Sequence, residues 1–150
     1  MQEPQMYVKK VQLLPYSVSV NVVICTDIDA ARIKLGLKPY SKRNWDKGTV
    51  GYSYIDTSKN EKKQNRFQPY IFINVPKVID WADFCDTVAH EAVHTVDKVF
   101  EFCAIETDYN NNEPYAYLLG YLVGQVVGFY EEVKTPEFCF KNTMDVKRNV

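Results

Sequence analysis

The chain has 150 residues, of which 46% are hydrophobic and 25% charged, and its formal net charge is −1. That size and balance suit one domain with its own core and exclude a disordered or fibrous chain. No apolar run reaches the length of a membrane span, so no membrane partner is expected.

The small total charge hides an uneven distribution. Residues 1–66 carry 12 Lys/Arg against 6 Asp/Glu, and residues 67–150 carry 6 against 13. Most of the basic excess lies in KPYSKRNWDKG and TSKNEKKQNR. No aromatic-interleaved basic motif accompanies these stretches, so they read as solvated loops and a nucleic-acid partner is not expected. The start, MQEPQMYVKK, lacks the apolar core of a secretory signal, so a cytoplasmic location is expected. Cys25, Cys85, Cys103 and Cys139 are scattered without a CxxC pair and are expected to be free thiols.

In chain order, SVSVNVVIC (17–25) alternates, is rich in valine, and reads as the first strand. Thr26 is the expected N-cap of a helix, IDAARIKL, with Asp27 and Asp29 in its first turn and Gly36 as its C′ residue. A polar loop through Gly48 follows. TVGYSYI (49–55) and PYIFINV (69–75) read as a second and a third strand, joined as a long antiparallel hairpin. The helix between the first two strands points to a crossover within one sheet. A helix from about Asp80 to about Phe100 carries Trp81, Phe84, Val88, Val93 and Val96 as apolar positions. After a break at ETDYNNN, Asn111 or Asn112 caps a further helix with Pro114 in its first turn, running to about Glu132. The last 18 residues read as an arm packed on the surface. The expected fold class is α+β in a single domain spanning 1–150.

Both histidines of the chain fall in AHEAVHTVD, residues 89–97. On a helix, positions i and i+4 share a face one turn apart, so His90 and His94 project side by side and reach a common metal ion. Glu91 points about 100° away around the axis, near enough to serve a water as general base without ligating the metal. This is the H-E-x-x-H arrangement of two zinc ligands and a base. Chance placement of two histidines and nine glutamates yields it about once in a thousand chains, so accident explains it poorly.

A catalytic zinc keeps three protein ligands. With no histidine left, the third comes from Asp97, Glu101, Cys103, Glu106, Asp108 or Glu113. Asp97, three residues beyond His94, suits the support of an imidazole better than ligation. Glu113 is the preferred ligand: it opens the next helix, 19 residues after His94. Glu113, Tyr117, Gly120 and Gly124 form one stripe of that helix. Glycines there are expected to let it approach the histidine helix closely. The competing reading makes Glu113 a first-turn charge favoured by the helix dipole.

HEAVH followed by EPYAYL resembles the gluzincin-type zinc metallopeptidases, and more narrowly is similar to small uncharacterised HExxH proteins of bacteriophages. The resemblance covers about residues 81–125. It implies zinc ligation by His90, His94 and Glu113, catalysis by Glu91, and a minimal zincin-like fold with a small mixed sheet of about three strands. Larger gluzincins also use a distal His or Tyr for the oxyanion and often an Asp one turn after the ligand Glu. Tyr117 occupies that latter position here, and no third histidine exists.

Two functions follow as expectations. In the first, the chain is a zinc-dependent peptidase acting on a peptide or protein. Glu91 moves the proton from water to the leaving amine, and a tyrosine among Tyr109, Tyr115, Tyr117 and Tyr121 donates to the oxyanion. YIFINV is then the exposed edge strand that pairs with substrate. In the second, the chain keeps zinc for stability and works by binding a host or phage partner. An intact Glu91 favours the first, because a structural zinc needs no base and closes with four protein ligands.

Overall fold

The computed structural model describes residues 3–38 and 49–140. The basic stretch at 38–48, apart from Lys38, and the last ten residues of the expected C-terminal arm lie outside them. The elements in order are β1 (Met6–Leu13), β2 (Val18–Cys25), α1 (Ile28–Lys34), β3 (Gly51–Asp56), β4 (Gln68–Asn74), α2 (Trp81–Phe102) and α3 (Glu113–Val133). Among the described residues the class is α+β: one four-stranded mixed sheet in the order β1-β2-β4-β3, with three α-helices and a short 3-10 helix at Val75–Lys77. Among the described residues no helix is long and apolar enough to cross a membrane.

The sheet has four strands rather than about three. The additional one, β1, pairs antiparallel with β2 from Met6↔Cys25 to Leu13↔Val18. Its sequence MYVKKVQL buries only Val11 and Leu13, and paired lysines blur the alternation. Lysines of this kind mark an edge strand, where they discourage pairing with other chains. Lys9 Nζ also reaches Glu132 Oε1 of α3 at 3.1 Å.

β2 and β4 form the parallel centre of the sheet and are apolar on both faces, as strands covered on both sides must be. Val18, Val20, Val22 and Ile24 with Ile71 and Ile73 face the core beneath α2 and α3. Val23, Cys25, Tyr70 and Phe72 face α1. The hairpin reading holds: β3 pairs antiparallel with β4. The crossover through α1 keeps β2 and β3 in one sheet, with β4 inserted between them. YIFINV is consequently not an edge strand. β4 lies inside the sheet, and β3 is the terminal strand.

Helix boundaries follow their caps. Asp27, not Thr26, caps α1: its Oδ1 accepts from Ala30 N at 3.0 Å, while Thr26 Oγ1 accepts from Gln5 N. Gly36 ends the helix region at φ +69°, a conformation cheap only for glycine. Asp80 caps α2 by accepting from Asp83 N at 2.9 Å. The described part of the C-terminal arm is more than a surface layer. Phe138 and Phe140 are buried, and Phe140 stacks on Tyr130 and Phe84. Two phenylalanines spaced by two in EFCF carried that signal.

Phe84 is fully buried against Tyr130, Phe140 and Trp81. Phe84→Ala is expected to cost about 3–5 kcal/mol of unfolding free energy, measured by denaturant titration. All four cysteines are free thiols. Burial pushes Cys25 up to about 12. At pH 8 such a thiol is ionised to roughly one part in 10⁴, against about a quarter for an ordinary thiol. A native thiol titration is expected to label exposed Cys139 and leave Cys25 silent until denaturant is added. Labelling of Cys25 at the rate of Cys139 contradicts this packing.

Candidate metal centre

The site is set by how α2 is rotated on the sheet. Val88, Ala92, Val96 and Val99 are fully buried and face the core. One residue on from His90, and about 100° around the axis, Glu91 is buried, and Thr95 lies one turn below it. This second face meets β3: Ser53 Oγ lies 3.0 Å from Thr95 Oγ1, and Thr95 Oγ1 donates to the Glu91 carbonyl at 2.9 Å. A hydroxyl has one proton, so with that of Thr95 committed to the helix, Ser53 is the donor to Thr95. The third face carries His90 and His94, both exposed.

The imidazoles converge. His90 Nε2 and His94 Nε2 are 3.1 Å apart, and the rings stand edge to face with centroids 4.7 Å apart. Two nitrogens bound at tetrahedral angles to one zinc at 2.0–2.1 Å would lie about 3.3–3.4 Å apart. The pair therefore fits two positions of a tetrahedral ion within a few tenths of an ångström. Without an ion, one ring nitrogen donates to the other. Burial pushes the Glu91 carboxyl up from the usual carboxylate range, opposed by the charges of His90 and His94 and by the Ser53 backbone N–H, which donates to it.

His90, Glu91, His94 and Asp97 line one cavity of about 520 Å³ with Lys98 and the strand residues Tyr52, Ser53 and Ile55. The strand contributors were not singled out by sequence. TVGYSYI did hold the signal: a glycine and a serine on the strand face opposite Tyr52 and Tyr54 point to close approach by another element.

The structure does not bring Glu113 to the imidazole pair. Glu113 is exposed at the start of α3 and does not line the cavity. Tyr115, two residues on and so about 200° around the helix, faces α2 instead. Its hydroxyl donates to Asp97 Oδ1 at 2.7 Å. The periodic stripe exists, but it faces solvent. A methyl group added at Gly120 or Gly124 would meet nothing within 4 Å, and α3 packs through Leu118, Leu122 and Val126. Aliphatic burial set the rotation of α3, and the glycines do not serve a close helix contact. Tyr117, 76% exposed, lines a separate cavity with Tyr16 and Tyr121. Of the expected supporting residues, Asp97 alone shares the histidine cavity. Glu101 pairs with Lys98 at 2.8 Å, and Glu106 and Asp108 are exposed. Among the described residues, no three His, Cys, Asp or Glu side chains are grouped closely enough to hold a metal ion.

Burial, then the hydrogen bond to Asp97 and its charge, push the Tyr115 hydroxyl up to about 12. A group whose pKa is raised on folding stabilises the fold below its unfolded value, here about 10, and loses that contribution as pH rises to about 12. Tyr115→Phe is expected to cost roughly 1 kcal/mol at pH 7, a figure kept low by solvent screening at this partly exposed pair. The gap from wild type should shrink between pH 10 and 12. Denaturant midpoints at pH 7 and pH 11 check both points.

Compared with known protein families, curated proteins and solved structures, the chain matches none.

Proposed function

We propose that the chain is a zinc-dependent peptidase of zincin-like layout, with His90 and His94 holding the ion and Glu91 as general base. The observation that carries this reading is the 3.1 Å approach of the two Nε2 atoms beside the Glu91 carboxylate in one cavity. Zinc, when bound, supplies Lewis acidity that polarises a carbonyl and makes water a competent nucleophile near neutral pH. The chain supplies the rest. Glu91 takes the proton of the attacking water at its carboxylate and delivers it to the leaving amine. Its burial suits that exchange, because it brings the neutral form closer in energy to the charged one than in open water.

A terminal strand beside the cavity supports a peptide as substrate. β3 pairs only with β4 among the described strands. Asn74 N donates to Val50 O at 2.7 Å, so Val50 and alternate residues after it bond toward β4. Main-chain groups of Gly51 and Ile55 and the Ser53 carbonyl point the other way, which suits pairing with an extended peptide, while the Ser53 N–H is taken by the Glu91 carboxylate.

Equilibrium dialysis is expected to find one zinc per chain, with affinity falling about a hundredfold or more in His90→Ala and His94→Ala. Glu91→Gln should keep zinc and lose about 10²–10⁴-fold in cleavage of a peptide library. A chain that takes up no zinc ends this reading. A biological activity that survives Glu91→Gln with zinc in place favours a binding protein instead. Glu113→Gln is expected to leave zinc affinity within about twofold, given the exposed carboxylate outside the cavity. A tenfold loss or more would mean that the first turn of α3 moves to complete the site.

A further inference from the structure

Gly51 is the one residue of β3 without a side chain, and it lies directly over α2. A Cβ built there would sit 2.4 Å from Thr87 Cγ2, 3.0 Å from Glu91 Cγ and 3.4 Å from Glu91 Oε1. The first contact is impossible without movement, and the second is tighter than ordinary packing. The strand therefore passes within contact distance of the side chain that bears the base. Two residues on, Ser53 joins the same helix through its hydroxyl: Ser53 Oγ to Thr95 Oγ1, and Thr95 Oγ1 to the Glu91 carbonyl. Thr95 is fully buried and Glu91 nearly so. The strand thus meets Glu91 from both ends, packing on its methylene and carboxylate at Gly51 and linked through Thr95 to its main chain at Ser53.

We propose that β3 holds the general base in place, with Gly51 and Ser53 as positioning residues for Glu91. This rests on the reading of Glu91 as the base. A carboxylate on a flexible two-carbon stem has several rotamers, and proton transfer needs one of them. Contact along the stem, with the Ser53 backbone N–H donating to the carboxylate, restricts that choice. Because the same strand is the terminal one, the position of the base and the surface that takes a peptide belong to one element.

The test separates packing from positioning. Thr87→Ala removes the Cγ2 atom that a Cβ at residue 51 would strike. In Gly51→Ala/Thr87→Ala the next two nearest contacts, Cγ and Oε1 of Glu91, remain. Four readouts are compared across wild type, Thr87→Ala, Gly51→Ala and the double variant. They are the melting temperature, zinc affinity, the side-chain carboxyl carbon resonance of Glu91 (assigned through Glu91→Gln), and kcat and KM on a peptide that wild type cleaves. Gly51→Ala is expected to lower the melting temperature. In the double variant, melting temperature and zinc affinity return to the Thr87→Ala values. The Glu91 resonance stays displaced and kcat stays about tenfold to a hundredfold down at unchanged KM. Return of the resonance and kcat together with the melting temperature overturns the proposal, leaving Gly51 a packing residue.

Ser53→Ala removes the hydroxyl link without adding an atom, so it carries the same question if the Gly51 variants do not fold. The Glu91 resonance moves if β3 holds the base, and an unmoved resonance rejects the proposal. If wild type cleaves no peptide, the peptidase reading fails by itself, while the resonance still reports whether the strand positions Glu91.

Discussion

The rotational setting of α2 on the sheet is the constraint from which the site follows. Valines 88, 96 and 99 with Ala92 drive one face of the helix into the core, and their burial leaves no freedom about the axis. A helix pinned in that way turns its neighbouring positions outward in a defined order. Glu91 and Thr95 come under β3, and His90, His94 and Asp97 come to the open cleft. A shift by one position would exchange a histidine for a valine at the cavity and bury an imidazole without a partner. The hydrophobic core and the orientation of the imidazoles are in this sense one event.

The chemistry of the cleft arises from a graded environment across a single helical turn. The imidazoles remain exposed. The carboxylate between them is drawn under the strand, where it loses part of its hydration. Such a gradient gives His90 and Glu91 different surroundings although the two are adjacent in sequence. Asp97, a turn further, is tied by the Tyr115 hydroxyl, so the start of α3 buttresses the wall of the cleft.

Much of this was legible in the residues. Three strands, three helices, the long hairpin, the Asp80 cap and the shared face of His90 and His94 came from periodicity and capping, which are local properties, whereas Asn112 precedes α3 without a side-chain cap bond. β1 was not legible, since a charged edge strand buries two side chains and shows little alternation. Nor was the place of YIFINV, an apolar run that fits any covered strand whether or not an edge is free. Phe138 and Phe140 looked like part of an arm because their aromatic partners come from other elements, Tyr7 for Phe138 and Tyr130 and Phe84 for Phe140.

The carboxylate of Glu113 marks the boundary between the two kinds of information. Sequence alone determined that Glu113, Tyr117, Gly120 and Gly124 share a stripe, because helical geometry sets which residues lie together around an axis. Which way that stripe faces was decided only when α3 met the rest of the chain. Leu118, Leu122 and Val126 bury more apolar surface than glycines can, so they took the contact with the core and turned the stripe to solvent. The histidine pair escaped that uncertainty because both rings stand on one helix and move together under any rotation. Local spacing thus determined which residues are neighbours, and competition among apolar faces for the interior decided which neighbours share the cleft.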